Sequence, residues 1–307
     1  MLLTLRPIPR AVALSLVALS LSGCSIKRMA INTLGNALSS GSSSTFARDD
    51  DPELVRDATP FALKTIEALL DQSPRHIGLL TAAASGFTQY GYGFVQQDAD
   101  FTEAQDLARA TQMRERAKKL YLRGAEYGLR GLDVELPGIR AQLATDADAA
   151  LARATRKQVP LLYWTAAGYA AALAIDVNDA DLATKQTLIE KMMRRALALD
   201  ETYEMGSIHE FFIAWEAGHA AAGGSVAKAR EHFARAAQLA DGRRAGPYVS
   251  LAEAVSISEN NKKEFESLLK QALAVDLTKA PDQKLANVIS QRRARWLLGR
   301  IDDLFVD

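Results

Sequence analysis

The chain has 307 residues, 37 lysines and arginines against 37 aspartates and glutamates, and a single cysteine. This balanced charge, without a basic stripe, argues against a nucleic-acid-binding protein. One cysteine excludes an internal disulfide framework, so the folded part must be held together by its core.

The N-terminus predicts an export signal. Arg6 and Arg10 form a basic region, and Ala11 to Leu21 is largely apolar but too short to remain as a membrane-spanning helix. It ends in Leu21-Ser22-Gly23-Cys24, which resembles the bacterial lipobox. We therefore predict a lipoprotein signal peptide over residues 1–23 and lipidation at Cys24. The alternatives are an ordinary signal peptide, or an N-terminal anchor that contains a cysteine by chance.

Residues 24–48 are predicted to form a lipid-anchored flexible tether. Its clearest part is the polar run Ser39 to Thr45, which has nothing to bury. Met29 to Leu38 is compatible with a short amphipathic helix near the membrane. Ser25, rather than aspartate, follows the cysteine, and this favours the outer membrane. The chain would then meet the membrane through its lipid alone, and a diacylated or triacylated cysteine is enough for stable anchoring.

Residues 49–307 are predicted to be an all-α scaffold domain. Asp49-Asp50-Asp51-Pro52 is typical of a helix N-terminus, and from there alanine is abundant while strand-like alternation is lacking. Turn signals divide the segment into helices; they lie at residues 71–74, 176–181, 223–224 and 241–247.

The helices carry a degenerate TPR pattern. The second-helix frame, small-x3-large-x2-small, fits five places: Ala62/Ile66/Leu69, Ala117/Tyr121/Gly124, Ile189/Met193/Ala196, Ala229/Phe233/Ala236 and Phe265/Leu269/Ala272. A first-helix frame fits Trp164/Ala167/Gly168/Ala171 and Leu80/Ala83/Ala84/Phe87. The last two intervals, 229 − 189 = 40 and 265 − 229 = 36 residues, approach the 34 of a regular TPR. The pattern predicts an irregular TPR-like helical-repeat solenoid, with insertions near residues 98–112 and 137–155.

Aromatic clusters are the candidate binding feature. Large rings at first-helix positions suit a groove, because they bury apolar area and keep a polar handle. The alternative is that these aromatic residues form the hydrophobic core of the repeats. The candidate groove-lining residues are Phe87, Tyr90, Phe94, Tyr163, Trp164, Tyr169 and Phe212.

The motifs point to no catalytic residues, no metal site and no cofactor. His209-Glu210 lacks the histidine four residues on that a zinc-protease helix needs, and His219 lies ten residues away. Gly91-Tyr92-Gly93 lacks a P-loop lysine. We therefore expect a binding protein rather than an enzyme.

Several segments resemble a known family. Asp49 to Arg56, Pro60 to Lys64, Ala83 to Phe94, Arg116 to Gly131 and Ala227 to Leu239 are similar to the TPR lipoproteins associated with TRAP transporters, called T components. The resemblance implies a homotrimer that binds the periplasmic solute-binding protein of a TRAP transporter and assists uptake of a small molecule, hydrophobic or an organic acid. It also implies a pore or cleft through each protomer beside the partner's ligand site.

Two other functions stay open at this point. The first is an envelope-assembly TPR lipoprotein that binds outer-membrane protein clients. The second is a cell-wall enzyme whose site carries no familiar motif. In all three cases the expected location is the cell envelope, with the body facing the periplasm.

Overall fold

A computed structural model describes residues 45–220 and 223–305. Within these ranges the chain forms fifteen helices and no strand, which confirms the all-α repeat prediction. The predicted signal peptide, Cys24 and most of the tether lie outside the described residues. No helix within the described ranges is long and apolar enough to cross a membrane.

The helices follow one another along the chain with short connections. They are α1 Pro52–Gln72, α2 Ile77–Tyr90, α3 Gln97–Thr102, α4 Leu107–Glu135, α5 Ile139–Thr145, α6 Ala147–Ala152, α7 Val159–Ile175, α8 Ala180–Ala183, α9 Gln186–Leu199, α10 Ser207–Gly218, α11 Val226–Ala240, α12 Gly246–Leu251, α13 Lys262–Leu273, α14 Lys284–Leu298 and α15 Ile301–Leu304. Two π-helical segments interrupt this order: Gly91–Gln96 joins α2 to α3, and Ala252–Ser256 extends α12.

Four helix pairs form the repeat. α2 packs against α4, α7 against α9, α10 against α11, and α12 against α13. The predicted first-helix frames fall on α2 and α7, and four of the five second-helix frames fall on α4, α9, α11 and α13. The expected insertions are helical: residues 98–112 contain most of α3 and the start of α4, and residues 137–155 contain α5 and α6.

The beginning of the folded body has a clear physical cause. The Asp51 side chain accepts hydrogen bonds from the backbone N–H groups of Glu53 and Leu54, which caps α1. Phe46 already packs against the core, and Arg48 pairs with Asp282 at 2.6 Å. Contacts with the packed body therefore extend back to Phe46.

Small residues bring α4 and α7 into close contact. A Cβ atom built on Gly168 would lie 2.9 Å from the backbone oxygen of Tyr121 and 3.1 Å from the Cβ of Ala125. A Cβ on Gly128 would lie 2.3 Å from the Thr165 hydroxyl oxygen. Glycine is needed at both places because α4 also packs against α2 on another face and cannot simply move away.

The last long helix closes the solenoid on itself. Arg292 of α14 binds Asp98 at 2.8 Å, and Arg293 binds Asp100 at 2.8 Å. On the same side of α14, Ile289 lies against Gly93. The opposite side of α14 faces the last repeat, where the Asn287 side chain accepts from the Ala245 N–H and donates to the Arg243 carbonyl. α14 therefore joins the two ends of the helical array.

We expect Gly168→Ala to destabilise the fold by about 1–3 kcal/mol, because the added methyl group meets a backbone carbonyl that cannot rotate away. The measurement is the free energy of unfolding from urea denaturation. Gly218→Ala is the matched control, since a Cβ at Gly218 has no atom within 4 Å and should cost nothing. Equal stability of the two variants would contradict the close packing described above.

Candidate functional site

A group of five polar side chains comes from three helices and the two π-helical segments. Tyr92 comes from the π segment after α2, Tyr163 from α7, Glu210 from α10, Glu253 from the π segment after α12, and Arg293 from α14. These side chains are electrostatically coupled: Glu253, Arg293 and Glu210 all influence the Tyr92 phenol, and Glu210 also influences Tyr163. We call this site, together with Arg244, the inner recess.

Tyr92 is partly exposed at this site. Its relative exposure is 46%, so solvent reaches part of the side chain. Desolvation by the surrounding protein, helped by the charge of Glu253, raises the pKa of Tyr92 to about 12. The π-helical turn at Gly91–Gln96 directs Tyr92 there, and π turns are frequent at functional sites.

Glu210 is held against the start of α12. Its carboxylate pairs with Arg244 at 2.7 Å, and the other end of the Arg244 guanidinium donates to the Glu204 carbonyl at 3.1 Å. A Cβ atom on Gly246 would lie 2.1 Å from one Glu210 oxygen. Glycine at this position therefore makes room for the carboxylate.

Arg293 lies between two carboxylates. It donates to Glu253 at 2.6 Å and to Asp100 at 2.8 Å, and it stacks over Trp296 at 4.5 Å. Burial opposes its charge, but Glu253 in particular raises the pKa of Arg293 above its ordinary value. The guanidinium is thus charged and fully engaged by carboxylates.

Tyr163 and its neighbours form the aromatic wall. The Tyr163 ring contacts Trp164 edge-on at 4.9 Å and Tyr203 at 5.3 Å. Burial and the nearby charge of Glu210 raise the pKa of the Tyr163 phenol, which stays protonated at neutral pH. Tyr163 and Trp164 are both half-buried, so each keeps a solvent-accessible edge.

The structure separates the seven predicted groove-lining aromatics. Tyr163 lies in the inner recess with Trp164 against it, whereas the other five are buried between helices: Phe87, Tyr90, Phe94, Tyr169 and Phe212. Phe87 stacks on Tyr127 at 5.9 Å, and Phe212 stacks on His232 at 4.8 Å. These contacts correspond to the repeat-core alternative. The groove-lining hypothesis therefore rests on Tyr163 and Trp164.

Sequence reasoning missed most of the recess. Tyr92 could have been identified from the sequence. Phe87, Tyr90 and Phe94 lie on one helix face, and Tyr92 lies on a different face of the same segment. Glu210, Arg244, Glu253 and Arg293 carry no such signal, since isolated charged residues on helices usually face solvent.

The histidines form a pair rather than a metal site. The Nδ1 atoms of His209 and His232 lie 2.8 Å apart, so one ring donates a hydrogen bond to the other. Glu201 lies 3.5 Å from the Nε2 of His209, and Arg235 pairs with Glu201. Within the described part of the chain, no group of three or more His, Cys, Asp or Glu side chains is placed to hold a metal ion.

The comparison with known proteins covers nearly the same residues as the folded body. A family model described as TRAP transporter T-component matches residues 48–305, which is nearly all of the described body. The chain is also 31% identical over 304 residues to an uncharacterized protein of Treponema pallidum (strain Nichols). The matched region covers 93% of this chain and 94% of that protein.

The histidine pair predicts a pH-dependent stability. Burial lowers the pKa of both rings, and for His232 the neighbouring His209 adds to burial and brings the pKa to about 4. The unfolded chain, with a histidine pKa of about 6.5, then binds more protons than the folded one. The pair's contribution is therefore complete above about pH 6.5 and is lost as the pH falls towards 4.

We expect the thermal midpoint to fall over this pH window and the fall to be smaller in His232→Gln. The charged groups that act on the pair, Glu201 and Arg235 at His209 and Glu216 and Arg194 at His232, are unchanged in the variant. His219→Gln, which removes a histidine outside the pair that is stacked on Trp215 at 3.9 Å, is the control for the loss of an imidazole elsewhere. If the thermal midpoints of wild type and His232→Gln fall in parallel with pH, the prediction is wrong.

Proposed function

Since the chain belongs to the TRAP transporter T-component family, we propose that it binds the periplasmic solute-binding protein of a TRAP transporter and assists small-molecule uptake. The observation that carries the proposal is the extent of the family match, residues 48–305, over a body closed into one helical array. This family is a transporter component and not an enzyme family. In the proposal the inner recess meets the small molecule, and the body presents it to the partner.

The proposed anchor fits this role. The lipobox-like Leu21-Ser22-Gly23-Cys24 would place two or more acyl chains on Cys24, and the polar run Ser39 to Thr45 would separate the lipid from the body. Ser25 favours the outer membrane. The body would then face the periplasm, where a solute-binding protein diffuses.

The proposed homotrimer needs an apolar contact surface, and α1 offers one. Leu54 and Phe61 are 59% and 79% exposed. They are seven residues apart, so they lie on the same face of the helix. Burial of an exposed phenylalanine against another copy of the chain is energetically favourable. We propose that this face of α1 is the contact between protomers.

The test of partner binding is affinity capture of the full-length protein from gently solubilised membranes, with mass spectrometry of what co-purifies. We expect a periplasmic solute-binding protein in near-equal amount. Cys24→Ser is the control: it should lose the lipid and leave the membrane fraction, yet still bind the partner through its body. Capture of barrel-assembly components instead would support the envelope-assembly alternative and overturn the proposal.

The test of the oligomer is the molar mass in solution. We expect the double variant Leu54→Lys and Phe61→Lys to shift the protein from three copies to one in light scattering, because two buried charges would be placed in the contact. Val177→Lys is the matched control, since Val177 is also exposed, at 69%, but lies in the connection after α7. A wild-type monomer, or a double variant that stays trimeric, would reject this contact.

A further inference from the structure

A row of arginines runs along α4. Arg109, Arg116, Arg123 and Arg130 follow one another at intervals of seven residues. Seven residues are close to two turns of an α-helix, so the four side chains lie along one side of α4 over a length of about 32 Å. Acidic and apolar residues separate the arginines in the sequence, and the charge of the whole chain is balanced. The row is therefore a local basic feature of an otherwise neutral protein.

Aromatic rings restrict three of these arginines. The Arg116 guanidinium lies 5.8 Å from the centre of the Tyr90 ring, and the Arg123 guanidinium lies 4.8 Å from the Phe87 ring. Arg130 lies 6.0 Å from a tyrosine ring of α4 itself. Stacking of this kind orients a guanidinium, while its N–H donors stay available at its edge. Much of the row is thus ordered before any partner binds.

The protein itself leaves most of the row without acidic partners. In the part of the chain that the structure describes, no carboxylate forms an ion pair with Arg109, Arg116 or Arg130. Arg116 reaches only a phenol oxygen at 3.5 Å, and Arg130 donates to a backbone carbonyl at 2.8 Å. Arg123 is the member of the row that has an acidic partner, Glu67.

Arginines on the other helices with a second-helix frame are paired. Arg194 of α9 forms ion pairs with Glu190 and Glu216, and Arg230 of α11 forms ion pairs with two glutamates. In those helices the arginines join neighbouring repeats. The unpaired arginines of α4 therefore do not follow from the repeat architecture, and they are available to another molecule.

The acidic residues of α4 leave an excess of positive charge. Glu126 is bound by Arg140 at 2.6 Å, and Glu135 is bound by a lysine at 2.8 Å. Asp133 accepts a hydrogen bond from the Arg140 backbone N–H. Glu115 remains as the one carboxylate of α4 for which the described residues offer no partner. Four cations of the helix also lack a carboxylate partner among the described residues: Arg109, Arg116, Lys119 and Arg130.

The form of the row indicates what it binds. Arg109, Arg116 and Arg123 are exposed, and the row is far longer than a small anion. Met113 and Leu120, between the arginines, pack against the core, so they do not form the apolar face that a membrane-surface helix inserts into lipid. Ordered guanidinium groups bind carboxylates through paired N–H donors. The row therefore fits an acidic protein surface better than a lipid surface or a small anion.

We propose that the arginine row of α4 docks an acidic face of the solute-binding partner. This assignment rests on the proposed transport function and gives the contact surface and the chemistry of the partner. A strip about 32 Å long and about 10 Å wide is smaller than the roughly 800 Å² per partner of a stable complex. The complex is therefore transient, and the unpaired charges act mainly on the rate at which the two proteins associate.

The experiment measures the rate at which the captured solute-binding protein associates with the mature chain, residues 24–307 with Cys24→Ser, by surface plasmon resonance. The test variant combines Arg109→Glu with Arg116→Glu, which breaks no ion pair of the fold. We expect its association rate at about 50 mM salt to fall about tenfold, and the decrease in rate between about 50 and about 500 mM salt to be largely lost.

The matched control combines Lys263→Glu with Lys279→Glu. It changes the net charge by the same amount at two exposed lysines, one in α13 and one shortly after it. This control should associate at nearly the wild-type rate. An unchanged rate for the Arg109 and Arg116 reversal, or an equal fall in both double variants, would overturn the proposal.

The thermal midpoint of each variant separates a loss of binding from a loss of folding. If the reversal melts below wild type, Arg109→Gln with Arg116→Gln replaces it, and its rate at low salt should fall about threefold. Arg109→Lys with Arg116→Lys keeps both charges and should retain most of the rate. A neutral pair that associates as fast as wild type would contradict the proposal.

Lipid vesicles test the membrane alternative. The probes are vesicles of phosphatidylglycerol, with phosphatidylcholine vesicles as the uncharged control. We expect the mature chain with Cys24→Ser to co-sediment with neither. Co-sedimentation with phosphatidylglycerol that is lost in the Arg109 and Arg116 reversal would mean that the row binds lipid headgroups, and it would overturn the proposal.

Poly-L-glutamate separates this inference from the transport role, because it presents carboxylates without a partner protein. Wild type should bind it more tightly than the Arg109 and Arg116 reversal. If no solute-binding protein is captured but poly-L-glutamate binding depends on the row, the transport role fails and the carboxylate-binding surface stands. If the partner is captured and associates with the reversal at the wild-type rate, this inference alone fails.

Discussion

The structure depends on the docking of α14 against the N-terminal helices. A helical solenoid normally ends in two unrelated caps, but here Arg292 and Arg293 connect the last long helix to Asp98 and Asp100 of α3. Each acidic residue has a second arginine partner, Arg56 for Asp98 and Arg114 for Asp100. These are networks of partly buried charges rather than isolated surface pairs, so they hold a defined geometry.

The same docking assembles the recess. Arg293 links Asp100 on the N-terminal side to Glu253 on the C-terminal side, so one guanidinium serves both the closure and the wall of the site. The two π-helical segments contribute Tyr92 and Glu253, and both interact with Arg293. A π turn changes the angular position of the residues in it relative to an α-helix. The two π-helical segments thus each contribute one polar residue that interacts with Arg293.

Stability and binding use different parts of each helix pair. The small residues, such as Gly128 and Gly168, lie between helices and permit close contact, whereas Tyr163 contacts Trp164 and Tyr203. Phe212 of α10 stacks on His232 of α11, and Glu210 lies two residues before Phe212 in α10. One helix, α10, therefore carries both a ring that packs on the histidine pair and a residue of the site.

The sequence by itself determined the helix content, most turns and the repeat frames, because these depend on local periodicity and on capping residues such as Asp51. It also determined the family, through segments that remain similar along the chain. The tertiary structure decided which aromatics are buried between helices and which keep an accessible edge, since Phe87 stacks on Tyr127 whereas the half-buried Tyr163 contacts Trp164 and Tyr203. It alone brought Glu210, Glu253 and Arg293 together, because residues this far apart along the chain meet only after α14 closes the array.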